Sequence, residues 1–176
     1  MRNLGRNIIL GRAVLIALVV SVLSACKTDP RPVKHLGMDD VDAQAMAQML
    51  FNKEMTNAAD KECLHYVEKD SLKYALDDFG VWYTKTQQTE GDSLQKGQMV
   101  TLQMSVYELN DTLVADMKEQ MQVGSNDLPL AIYRSLQMMR AGEQMVVVAP
   151  WYAAYGVEGT SLIKPYTNLK FVITAE

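Results

Sequence analysis

Side chains able to do chemistry are few in this chain, and their spacing narrows what they can do. It holds two cysteines and two histidines. Cys63 stands near His65 on a stretch that reads as helix, but no third group joins them as a nucleophile and base would require. His35 and His65 lack Cys or His partners at ligand spacing, so neither a structural zinc site nor another cofactor is expected. A Gly-rich phosphate loop and a Gly-x-Ser-x-Gly turn are both missing. Cys26 differs because of what precedes it. Arg2, Arg6 and Arg12 make a basic stretch, Ala13 to Leu23 is a short apolar run, and Ser24-Ala25 are small. That is the anatomy of a secretory signal, too short for a span that needs about 20 apolar residues.

Leu23-Ser24-Ala25-Cys26 resembles the lipobox of bacterial lipoproteins: Leu, a small residue, Ala or Gly, then Cys. The resemblance implies that residues 1–25 are a removed signal peptide. It also implies a diacylglycerol on the Cys26 thiol and a further acyl chain on the freed amine, and more than one chain anchors stably. The competing reading is ordinary cleavage after Ala25, with Cys26 a bystander. Lys27 after the Cys resembles lipoproteins sent to the outer membrane, so a lipid-anchored place in the cell envelope is expected. With Cys26 acylated, Cys63 is the one thiol left and no internal disulfide can form.

These residues need elements to position them. Loss of Arg2, Arg6 and Arg12 takes the formal charge from −4 to −7, and no Lys/Arg cluster appears, which argues against nucleic acid as a partner. Twelve methionines either fill core gaps or offer an adaptable apolar surface. Residues 26–38, with Pro30, Pro32 and Gly37, read as a lipidated tether; eleven extended residues reach at most about 35 Å. Residues 39–71 read as a helical segment. Val41, Ala45, Met46, Met49 and Leu50 recur at helical spacing, and a second helix over about 58–69 offers Leu64 and Val67. Residues 72–176 read as one α+β domain. Short extended pieces lie at 72–74 and 81–83. Val100, Leu102, Met104 and Val106 alternate with polar residues, and Asn110-Asp111 is a turn signal before a strand over 113–117. Asp127 can cap a helix with Pro129 in its first turn, Leu128, Ile132, Leu136 and Met139 on one face, and Gly142 at its end. Strands over 145–149 and 169–174 follow. The pattern predicts a helix packed on an antiparallel sheet.

In this setting Gly91-Asp92, Lys96-Gly97-Gln98, Met139-Arg140-Ala141-Gly142-Glu143-Gln144, Ala149-Pro150-Trp151-Tyr152-Ala153-Ala154-Tyr155-Gly156 and Leu162-Ile163-Lys164-Pro165 recur in the order seen in FKBP-type peptidyl-prolyl isomerases. From about Leu72 to Glu176 the chain resembles that family. With its lipobox and preceding helices it is similar to the membrane-anchored FKBPs of Gram-negative bacteria, some of them associated with gliding motility. The resemblance implies an antiparallel sheet curled around one helix, and an apolar pocket between them that holds an X-Pro bond without acid, base or metal.

Residue by residue, the resemblance implies that Tyr155 contacts the bound carbonyl and that Phe171, Leu162, Ile163 and Leu128 form apolar walls. Other positions depart from it. The pocket-floor Trp falls on Ile132, and a residue whose N–H binds ligand falls on Pro129, which has none. A pocket Tyr becomes Met104, and a Phe-Asp pair becomes Val114-Ala115, although a one-residue slip would restore Asp116. Such a pocket is shallower. Tyr155 can otherwise merely cap the sheet. Trp151 and Tyr152 either form an exposed lip or pack on the N-terminal helices, and Asp116 and Glu119 read as solvated. Two functions follow: a slow isomerase and folding helper for X-Pro segments of exported polypeptides, or a non-catalytic polypeptide-binding module docked in an envelope protein complex.

Overall fold

In a computed structural model the described residues are 38–176, with side chains from residue 42. The signal peptide, Cys26 and the tether up to Gly37 lie outside them. A compact unit spans Ala45–Glu176 and holds most of α1 (Met38–Lys69). No Gly or Pro interrupts Met38–Lys69, so where two helices were expected there is one of 32 residues. Side chains from Asp42 to Glu54 are exposed, whereas Ala59, Cys63 and Val67, four residues apart, are buried. Leu64, expected on the buried face, stays 40% exposed.

Six strands follow in antiparallel order β1-β2-β5-β6-β3-β4: β1 (Ala75–Leu76), β2 (Trp82–Gln87), β3 (Met99–Glu108), β4 (Leu113–Gln122), β5 (Gln144–Ala149) and β6 (Leu169–Ala175). β3 behaves as its alternation predicts, with Val100, Leu102, Met104 and Val106 buried. Its turn into β4 is tight: Asp111 adopts φ +64°, and Asn110 Oδ1 accepts the N–H of Thr112 at 2.9 Å. β4 runs five residues beyond the predicted end, because β3 offers it a ladder as far as Met99.

One face of the sheet buries Val147, Phe171, Ile173, Leu102 and Met104 against α2 (Leu130–Met138), which contributes Ala131, Ile132 and Leu136. Each such side chain contributes roughly 1.5–3 kcal/mol. The other face is covered by α1: Cys63 and Val67 pack on Val148, with Tyr66, Trp82 and Leu109 around them. The fold is the expected α+β arrangement of an antiparallel sheet curled around a helix. α2 differs from expectation at both ends. Asp127 does not cap it; Pro129 occupies the capping position without a side-chain bond, while Asp127 accepts from Ser125. It ends at Met138, and Gly142, at φ +80°, belongs instead to the turn into β5.

Candidate functional site

The short helical turn Trp151–Ala153 after β5 carries Tyr155 to the edge of the α2-facing core. Backbone bonds close this segment. Gly156 N donates to Trp151 O at 2.9 Å, Gly159 N to Tyr155 O at 3.1 Å, and Tyr166 N back to Gly156 O at 3.1 Å. Gly156 sits at φ +69°, a conformation that favours glycine. Trp151 N donates to Asn168 Oδ1 at 2.8 Å, and Asn168 Nδ2 donates to Glu62 Oε2 at 2.6 Å, so α1 buttresses the same loop. Trp151 Nε1 also reaches Met55 O, and Tyr152 donates to Asp60 at 2.5 Å. These two aromatics therefore pack on α1 and are not a free lip.

So held, the Tyr155 ring stands 6.3 Å from that of Phe171, tilted by 42°. Phe171 is fully buried on β6, paired with Val147 and Val106. Burial and then the Glu119 charge push the Tyr155 hydroxyl above the usual phenol range, so it is protonated at neutral pH and can donate. Leu128 and Val114 are half-buried against this core, Val114 beside the irregularity where Val106 pairs Ala115 and Tyr107 pairs Leu113. Met104 and Ile132 are each 1% exposed and fill the core floor. Ile163 is buried, its N–H donating to Thr160 Oγ1 at 3.0 Å. Pro129 is half-buried at the start of α2, and its carbonyl accepts from Tyr133 N.

Two sequence expectations change here. Leu162, read as an apolar wall, is 66% exposed because the Thr160 turn directs Ile163 inward and Leu162 outward. The register slip that would bring Asp116 inside does not occur: Ser105 pairs Asp116, and Ser105 Oγ donates to its Oδ1 at 3.0 Å on the outer face. Glu119 shares the face of Ala115 and Met117 by period two, yet on this edge strand it stays exposed, as expected of a solvated carboxylate. The anchoring of the site by Glu62 and Asn168 carried no sequence signal, since they are 106 residues apart.

Among the described residues no group of three metal-ligating side chains converges. What Tyr155 and Leu128 can offer, half-buried over the Phe171 and Ile132 core, is a small apolar surface with one hydroxyl donor, suited to a neutral group bearing a carbonyl.

Residues 91–176 match the family described as FKBP-type peptidyl-prolyl cis-trans isomerase. The C-terminal part of this chain is thus a domain of the FKBP type, and β1 and β2 join its sheet from outside the matched residues. No curated protein matches the chain significantly. Solved structures agree on the fold. A peptidyl-prolyl cis-trans isomerase from Pseudomonas syringae pv. tomato is 22% identical, covering 68% of this chain and 92% of its own, with a TM-score of 0.56. The N-terminal domain of FKBP42 from Arabidopsis thaliana is 19% identical over 61% of this chain and 95% of its own, at 0.52. FkpA from Escherichia coli is 16% identical, covering 93% of this chain and 80% of its own, at 0.59.

Proposed function

We propose that this chain is a peptidyl-prolyl isomerase and folding helper for exported polypeptides, slow in turnover and held at the cell envelope by lipid on Cys26. The observation that carries the reading is the Tyr155 hydroxyl, free of partners among the described residues, its ring half-buried beside Phe171 at the edge of the apolar core. Rotation of an X-Pro bond passes a barrier of about 18–20 kcal/mol because amide resonance is lost. The twisted amide is less polar than the planar one, so a dry apolar wall favours it, and one hydroxyl can hold the carbonyl while the ring turns. No proton transfer is required. Uncatalysed exchange takes tens of seconds or more, long enough to limit the folding of a newly exported chain. The lipobox-like run and the Pro-containing tether support an anchored domain of the membrane-associated, gliding-motility type, placed at the outer membrane.

A second reading is favoured by one feature. Pro129 offers no N–H at the start of α2, and Met104 and Ile132 are spent on the core, leaving a shallow mouth. That suits a module that binds extended polypeptide, or docks in an envelope assembly, without catalysing. The test is exchange of a cis-enriched X-Pro tetrapeptide with the purified mature chain in detergent. Acceleration that drops several-fold in Tyr155→Phe is expected; a rate equal to the blank at high protein concentration would leave the binding reading.

A further inference from the structure

The family match begins at residue 91, so α1 is an addition from outside it. That helix reaches the segment between β5 and β6 at three points. Met55 O accepts from Trp151 Nε1 at 3.4 Å, Asp60 accepts from the Tyr152 hydroxyl at 2.5 Å, and Glu62 accepts from Asn168 Nδ2 at 2.6 Å. The first two end on side chains. The third passes into the main chain, because Asn168 Oδ1 accepts the N–H of Trp151 at 2.8 Å. Its partners force the orientation of the amide: an N–H only donates and a carboxylate only accepts. Asn168 is 7% exposed and Trp151 8%, so this N–H is shielded from water and needs the amide. From Trp151 the bonds continue. Its O accepts from Gly156 N at 2.9 Å, and Gly156 O accepts from Tyr166 N at 3.1 Å. Gly156 adjoins Tyr155, whose hydroxyl has no partner among the described residues. The ring therefore takes its place from this main chain and from its packing beside Phe171.

We propose that Asn168 is a positioning residue for Tyr155, and that through it the docking of α1 conditions how the loop meets an X-Pro segment. The proposal rests on Tyr155 marking the polypeptide site. Three variants of the mature chain in detergent test it. Glu62→Ala removes the α1 end of the bridge at an exposed position, where alanine suits a helix. Asn168→Asp keeps an acceptor for Trp151 N but sets a carboxylate against Glu62. Adding Glu62→Gln to Asn168→Asp restores the bridge with its direction reversed, the new amide donating to the new carboxylate. Loss of one hydrogen bond predicts a fall of about 2- to 10-fold in X-Pro exchange for each single variant, with recovery in the double one. In a Tyr155→Phe background Glu62→Ala should cost little more, since a residue acting through that hydroxyl is silent once it is gone. A residue that only stabilises the fold gives neither result, and urea unfolding records that contribution separately. Equal exchange in all chains that remain folded, or an equal loss with and without the Tyr155 hydroxyl, overturns the proposal. If the wild type does not accelerate exchange, the isomerase reading fails, and binding of Ala-Leu-Pro-Phe followed by the Tyr155 ring signals decides. Weaker binding in Glu62→Ala then upholds the positioning role, and unchanged or absent binding overturns it.

Discussion

Glu143→Gln is the substitution whose cost the structure specifies most fully. Glu143 is 2% exposed in the turn between α2 and β5. Its Oε2 accepts from Lys85 Nζ on β2 at 2.7 Å and from Arg140 N at 2.8 Å. Around it Ala175 N donates to Glu143 O, and Gly142 N donates to Ala175 O at 2.7 Å, so backbone bonds tie the turn to β6 while the carboxylate ties it to β2. An amide keeps an acceptor for Arg140 N but gives up the charge. Lys85 is about a quarter exposed and can swing into water, which limits the damage. Loss of one charge-assisted bond then costs about 1.5–3 kcal/mol. The pH dependence follows in sign. Burial tends to raise the Glu143 pKa, but the bonds from Lys85 and Arg140 prevail and hold it below the ordinary 4.5. The carboxylate thus contributes stability that is complete above 4.5 and is lost as pH falls through the lower folded value. Urea unfolding followed by the fluorescence of Trp82 and Trp151 should show the full difference between wild type and variant at pH 7, narrowing below pH ~4. A difference under about 0.5 kcal/mol at pH 7, or one that does not narrow in acid, refutes the reasoning.

Other expectations concern the site and its supports. Replacing Pro129 with Ile supplies an N–H at the start of α2; if a bound carbonyl lies there, X-Pro exchange rises by about 2- to 10-fold, the worth of one hydrogen bond, and an unchanged rate means that α2 does not meet substrate there. Ile132→Ala empties part of the core floor and should cost about 2–4 kcal/mol in urea unfolding, whereas Leu162→Ala, at an exposed position, should cost less than about 0.5. Cys63 is fully buried, and burial, with Glu62 and Asp60 nearby, pushes its thiol up to about 12. A thiol reagent at pH 8 should leave Cys63 untouched in the folded chain and modify it once urea unfolds α1; rapid labelling of the folded chain would mean that α1 opens readily.

Much of the domain was legible locally. Alternation from Val100 to Val106 and from Leu169 to Ile173 marks strands with one buried face, because side chains on a strand repeat every two residues. The order of short motifs around Gly97, Gly142 and Tyr155 pointed to the FKBP arrangement that the family match and the related structures share. Helical periodicity also marked helix from residue 39 through Leu50 and again over about 58–69, where one helix, Met38–Lys69, runs through.

The rest depended on contacts between distant residues. Period two says that Ala115, Met117 and Glu119 share a face, but only the pairing of Leu102 with Glu119 says that this face meets the core, and a slip of one residue would have exchanged it for that of Asp116. Leu162 and Ile163 are chemically alike, and the Thr160 turn decides which is buried. The stretch around Cys63 reads as an ordinary helix until Val148, Asn168 and Lys170 show that it covers the outer face of the sheet. Residue types and their period thus determined the elements and their amphipathic faces. Strand register and loop closure, which join residues up to 106 apart, decided which strand faces meet the core and which element braces the loop of Tyr155.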